Sequence, residues 1–227
     1  MEHHGPPRAT ARNHYVKIAR RLSHRPTLGQ RSVYCLPMKA ALTLTILAAL
    51  AAPAAAQPVA PTYWLIGPVL DGEPAVVATW LAEAQRAGLK RVYVEIDSPG
   101  GGAAPGLAIA EALRMAPVTT ICTVRRQASS AAYAILQACS IRIGKRGALF
   151  STHEPKALAN GLVTRDEARS LMIQLEAFTV LYETAVQSRM EPKTTREGYR
   201  ARVAAGLDWK MSADECLAAG GLDKVVP

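Results

Sequence analysis

Apolar residues fall along this chain in two rhythms, a period of two in short runs and a period near 3.6 between them. Val92, Val94 and Ile96 alternate with Arg91, Tyr93 and Glu95, which predicts a half-buried strand over 91–96. Residues 63–67 read as an earlier strand. The β-branched run over 118–124 reads as a later one, with two short strands around 141–143 and 148–152. Between strands, Val76, Val77, Trp80, Leu81 and Ala84 share one face of a helix over 75–87 that Gly88 ends. Further helices are predicted over 107–115, stopped by Pro117, and over 131–138. A long one spans 164–189, with an apolar stripe of Leu171, Leu175, Phe178, Leu181 and Tyr182. Ser212 and Glu215 form a capping box that opens a last helix, Gly220 and Gly221 end it, and 222–226 closes the chain as a strand.

Strands alternating with helices predict an α/β fold with a mostly parallel sheet and right-handed crossovers. The long helix interrupts that alternation. Either it projects from the body, its stripe covered by a partner subunit, or it packs on its own domain.

The first quarter of the chain follows other rules. Lys39 precedes an alanine- and leucine-rich run that breaks at Pro53, before Ala54-Ala55-Ala56-Gln57. A basic start, a short apolar stretch and small residues at a cleavage point make 38–56 a secretory signal peptide. The run is shorter than the roughly 20 residues a membrane helix needs. Residues 1–37, rich in Arg, His and Pro, read as a disordered basic extension, with Met38 a candidate true start. The product would be an exported, periplasmic or secreted domain over 57–227.

This division changes the charge argument. The chain has 27 basic and 18 acidic residues, a net of +9; residues 1–56 hold 8 and 1 of these, so the rest carries only +2. With few aromatics as well, nucleic-acid binding is excluded as a function class. Of the cysteines, Cys122, Cys139 and Cys216 lie in the domain. Cys122 and Cys139 could pair, although buried apolar thiols are the plainer reading, and the spacing matches no zinc motif. No metal and no cofactor is expected.

Candidate chemistry is concentrated between Asp97 and His153. The turn Ser98-Pro99-Gly100-Gly101-Gly102 follows a strand, Ser129-Ser130 opens an apolar helix, and His153 is the sole histidine beyond His24. Backbone N–H groups for an oxyanion, a hydroxyl nucleophile and an imidazole base are what acyl transfer needs. Taken alone, the serines could equally be helix caps, and the histidine a satisfied core residue.

In order along the chain, Val94-Glu95-Ile96-Asp97-Ser98-Pro99-Gly100-Gly101, Gln127-Ala128-Ser129-Ser130-Ala131, Thr152-His153-Glu154-Pro155 and Asp208 to Glu215 resemble the Clp protease proteolytic subunit family, within the ClpP/crotonase superfamily. The likeness spans roughly 63–226 and is nearest to short exported members. It implies a fold of repeated β-β-α units with a mostly parallel sheet and one long projecting helix. It also implies Ser130 as nucleophile (with Ser129 as the alternative), His153 as base and Asp208 as its orienting carboxylate. Gly100 or Gly101 with Ala131 would supply the oxyanion hole. Arg142 falls at a family arginine and Asp223 at a structural aspartate. The sequence departs from the family at Ala131-Ala132, where peptidases commonly have glycine second; a Cβ at Ala132 would narrow the cleft or ease strain at the elbow.

The expected function is an exported serine hydrolase, a peptidase on short or unfolded peptides, with a peptide or small acyl substrate. A homo-oligomer is expected, and no ATPase partner, because no segment resembles the family's unfoldase-docking loops. Two other readings stand beside it: a catalytically silent scaffold or peptide-binding module, and a crotonase-type acyl-CoA enzyme.

Overall fold

Thirteen regular elements follow one another in the computed structural model, which describes residues 61–157, 161–204 and 207–227. The expected basic extension over 1–37 and the expected signal peptide over 38–56 lie outside the described residues. The elements are β1 (Thr62–Ile66), α1 (Glu73–Arg86), β2 (Arg91–Ser98), α2 (Ala103–Met115), β3 (Thr119–Ser129), α3 (Ala131–Ala138), β4 (Ile141–Lys145), β5 (Leu149–Thr152), α4 (Arg165–Gln187), α5 (Arg196–Val203), β6 (Trp209–Ser212), α6 (Ala213–Ala218) and β7 (Lys224–Val226). Helix α2 begins four residues earlier than the pattern predicts, since Pro105 sits in its first turn, where a missing N–H costs nothing. The pattern predicted neither α5 nor β6.

The sheet runs β1-β2-β3-β4-β7, every neighbouring pair parallel, as strands joined by helical crossovers must be. Strand β3 is long enough to serve two neighbours. Its first half pairs with β4 over Ile121 to Val124, and its end pairs with β5 over Gln127 to Ser129. Strand β6 then lies antiparallel on β5. This mixed α/β architecture with a mostly parallel sheet is the one expected.

Helix α3 runs through the core: all eight of its residues are buried, Gln137 included. The long helix α4 packs on its own domain at one end only. Tyr182, Ala185, Val186 and Gln187 near its C-terminal end are buried against the body, whereas no residue before Tyr182 is. Among the described residues no helix is long and apolar enough to cross a membrane.

Two links tie α3 to the sheet. Cys122 on β3 and Cys139 just after α3 form a disulfide with Cα atoms 6.0 Å apart, within bridging range, which corrects the preference for two free thiols. Cys216 stays free and buried. Arg142 on β4 is also buried. It holds Asp223 through a two-nitrogen fork at 2.6 and 3.1 Å, reaches Gln137 of α3 at 2.6 Å, and donates to the carbonyls of Gly220 and Arg189. The arginine and aspartate aligned from the family thus meet as one structural pair.

Partial burial pushes the Asp223 carboxyl up, but the hydrogen bonds and charge of Arg142 outweigh it and hold the group below the ordinary carboxylate range. A carboxyl lowered in the folded state contributes stability above its unfolded pKa and loses it as pH falls through the folded one. Asp223→Asn leaves the buried guanidinium half paired. Because the carboxylate is 40% exposed, the cost falls at the lower end for such pairs, about 2–3 kcal/mol. Urea titrations should show that loss at neutral pH, and the gap to wild type should close below about pH 4.

Candidate active site

Register alone carries three distant side chains to one place. Strand β3 meets β5 with Ser129 opposite Ser151, and the Ser130 N–H extends the ladder to the Ser151 carbonyl at 2.8 Å. Strand β6 meets β5 with Thr152 opposite Trp209. One step further along the strands, Ser130 follows Ser129, His153 follows Thr152, and Asp208 precedes Trp209. All three line one cavity of about 600 Å³, as do Ser129, Pro99 and Lys210.

Ser130 is where the strand becomes a helix, and its backbone shows the cost. With φ 53° and ψ −125° it is the sole non-glycine residue at positive φ among those described. Such a conformation costs about 1–3 kcal/mol and persists only where surroundings over-determine it. Its carbonyl accepts from the N–H groups of Tyr133 and Ala134 and from the Tyr182 hydroxyl at 2.9 Å. Its hydroxyl makes no capping bond. The capping explanation therefore fails for Ser130: the side chain is left free at a helix N-terminus. Ser129 has ordinary strand geometry and also faces the cavity.

The glycine turn presses against this elbow. A Cβ on Gly100, which sits at φ 92°, would lie 2.8 Å from the Ser130 Cβ, and one on Gly106 would lie 2.7 Å from the Ala131 Cβ. Neither fits, so both positions require glycine. The Gly100 N–H is already given to the Ser98 hydroxyl at 3.1 Å. Among the described residues, no acceptor takes the N–H of Gly101 or of Ala131. Ala132 is fully buried and does not line the cavity, so its Cβ fills core rather than narrowing the cleft.

His153 Nδ1 lies 2.6 Å from the Glu154 carbonyl. A carbonyl only accepts, so Nδ1 carries the proton of this bond, and in the neutral imidazole Nε2 is then the nitrogen with the lone pair. Asp208 is held by Lys156 at 3.3 Å. No hydrogen bond joins Ser130 to His153, or His153 to Asp208. The Glu154 carbonyl thus occupies the position on the imidazole that an orienting carboxylate would take. Neither it nor Lys156 was foreseen, since a main-chain acceptor has no side-chain signature. Asp223 does not line this cavity; it serves Arg142. Among the described residues no group of three or more His, Cys, Asp or Glu could hold a metal ion.

A serine in a strained strand-to-helix turn, beside a glycine-rich turn and a histidine after the next strand, invites comparison with known proteins. Curated protein sequences gave no match. Among solved structures, a ClpP1 point mutant from Listeria monocytogenes aligns with a TM-score of 0.64 at 14% identity, covering 73% of this chain and 90% of that one. A likeness that remote speaks to the fold alone. The sequence-family comparison reaches further, because the Clp protease model matches residues 67–227, the elbow, the glycine turn and the closing strand included; the chain belongs to the Clp protease family.

Proposed function

We propose that this protein is an exported serine hydrolase, a peptidase on short or unfolded peptides. The observation that carries the reading is the Ser130 elbow, which spends conformational energy to leave a hydroxyl uncapped at a helix N-terminus, against the glycine turn. In the proposed reaction Ser130 Oγ attacks the substrate carbonyl carbon while Nε2 of His153 takes the hydroxyl proton. The N–H groups of Gly101 and Ala131 receive the oxyanion. The C–N bond breaks as the imidazole returns the proton to the leaving amine, giving an acyl-enzyme. Water then attacks the acyl carbon by the same route and frees Ser130. Asp208 has to exchange Lys156 for His153 to act as orienter, and apo sites often tighten in this way only when occupied.

Export is supported by the Cys122–Cys139 disulfide, a bond that persists in oxidising compartments. Outside the cytoplasm there is no ATP, so the activity would not rely on an ATP-driven unfoldase. The exposed Met172 and Ile173 on α4 suit a homo-oligomer. A second reading, a silent peptide-binding scaffold, is favoured by one observation: His153 and Asp208 are each engaged elsewhere.

Four measurements test this. A fluorescent fluorophosphonate should label wild type and Ser129→Ala, and labelling should fall at least about a thousandfold in Ser130→Ala. Absence of label on folded wild type between about pH 6 and 9 would favour the scaffold. Protein recovered from the exported fraction should begin at Gln57. Burial pushes its Cys216 thiol up to about 12, so iodoacetamide should modify no cysteine in the native state, one after unfolding, and three after reduction. Light scattering should give a mass several times that of one chain, and Ile173→Glu should lower it.

A further inference from the structure

Behind the elbow, three buried hydroxyls stand in line. Tyr182 on α4 donates to the Ser130 carbonyl at 2.9 Å, the Thr152 hydroxyl lies 3.2 Å from that of Tyr182, and the Tyr199 hydroxyl of α5 lies 2.8 Å from Thr152. All three residues are at least nineteen-twentieths buried. Their proton directions follow from counting. The Ser130 carbonyl can only accept, so the Tyr182 proton is committed to it. The Tyr182 oxygen must then accept from Thr152, and Thr152 in turn from Tyr199. Each hydroxyl donates once, all in one direction, and such chains polarise one another.

The end of this chain is informative. The Ser130 carbonyl and the Ala131 N–H belong to one planar trans peptide, so they point in opposite directions. Holding the carbonyl from behind aims the N–H forward, and drawing electron density toward the carbonyl oxygen makes that N–H a stronger donor. The peptide is also the one whose placement depends on the strained ψ of Ser130. We infer that Tyr182, backed by Thr152 and Tyr199, is a positioning residue for the oxyanion-binding Ser130–Ala131 peptide. The inference rests on the hydrolase reading and adds a determinant located on the long helix, outside the triad. Burial raises both phenols, Tyr182 above the usual tyrosine range and Tyr199 to about 12, so the chain stays protonated at any working pH. Thr152 also directly precedes His153, so the same line of hydroxyls backs the strand end that carries the base.

The test is saturation kinetics of fluorophosphonate labelling on the whole protein, with melting temperature measured in parallel. Tyr182→Phe should lower the labelling rate at saturation about tenfold, less than the hundred- to thousandfold seen when an oxyanion donor is deleted outright. The half-saturating probe concentration should stay unchanged, which a merely structural loss would not produce. Thr152→Val should lower the rate less, and Thr152→Ser should restore it. Equal rates in Tyr182→Phe and wild type overturn the inference and leave the hydrolase reading intact. Wild type that takes no probe overturns the hydrolase reading, and this role with it. Should Tyr182→Phe not fold, the Thr152 pair decides: slowing by Val with rescue by Ser supports the role, and equal rates for both overturn it.

Discussion

Ser130 stays in its unfavourable backbone state because the end of β3 and the short strand β5 agree on a register. The Ser130 N–H is fixed to Ser151 by the β3–β5 ladder, and its carbonyl is fixed by the first turn of α3 together with Tyr182. With both ends of the residue tied, φ has nowhere else to go. A slip of one position would turn the side chain to the opposite face. The demands spread outward from there. Gly100 and Gly106 have to lack a Cβ for the glycine turn and α2 to close on the elbow, and Thr152 has to be polar although nothing of it reaches solvent.

Helix α3 transmits this constraint into the rest of the domain. Its N-terminus is the elbow, and its C-terminus is fastened to β3 by the Cys122–Cys139 bond and to β4 by Gln137 and Arg142. A cross-link spanning 17 residues restricts the unfolded chain by about 3 kcal/mol in the chain-entropy account. The loop it closes contains the elbow itself. Rigid elements hold reacting groups better than loops do, and Ser130 is tied at both ends inside this cross-linked stretch.

The other half of the site is built differently. Asp208 and Lys156 form a pair whose side chains are 36% and 57% exposed, and such pairs contribute at most about 1 kcal/mol. The Glu154 carbonyl on Nδ1 of His153 is a local bond between adjacent residues. Exchanging these partners for a histidine–aspartate bond therefore costs little. A strained, tightly held Ser130 thus shares its cavity with a histidine and an aspartate that are weakly held by their present partners. Those are the terms on which binding of a substrate could complete the hydrogen-bond chain.

Much of this was legible from residue order. Alternation over 91–96, the β-branched run after Pro117 and the mostly apolar run after Ser130 each specify their element locally, because backbone sterics and periodicity act within a few residues. The helix over 131–138 agrees to the residue, and the capping box at Ser212 and Glu215 forms with both of its bonds. Strand β6 was missed because Trp209–Ser212 alternates over only four residues, runs straight into the helix capped by Ser212, and is held as a strand by pairing with β5. The disulfide, which the sequence left as the less plain of two readings, and the hydroxyl line from Tyr199 to Ser130 share a related reason: each joins groups whose nearness depends on how strands are ordered. The sequence by itself determined most of the strands and helices and which side chains could do acyl chemistry. Tertiary structure decided which of those groups meet, which serine bears the strain, and which partners the histidine and aspartate hold, because hydrogen bonds act over about 3 Å and only the folded sheet sets distances that short.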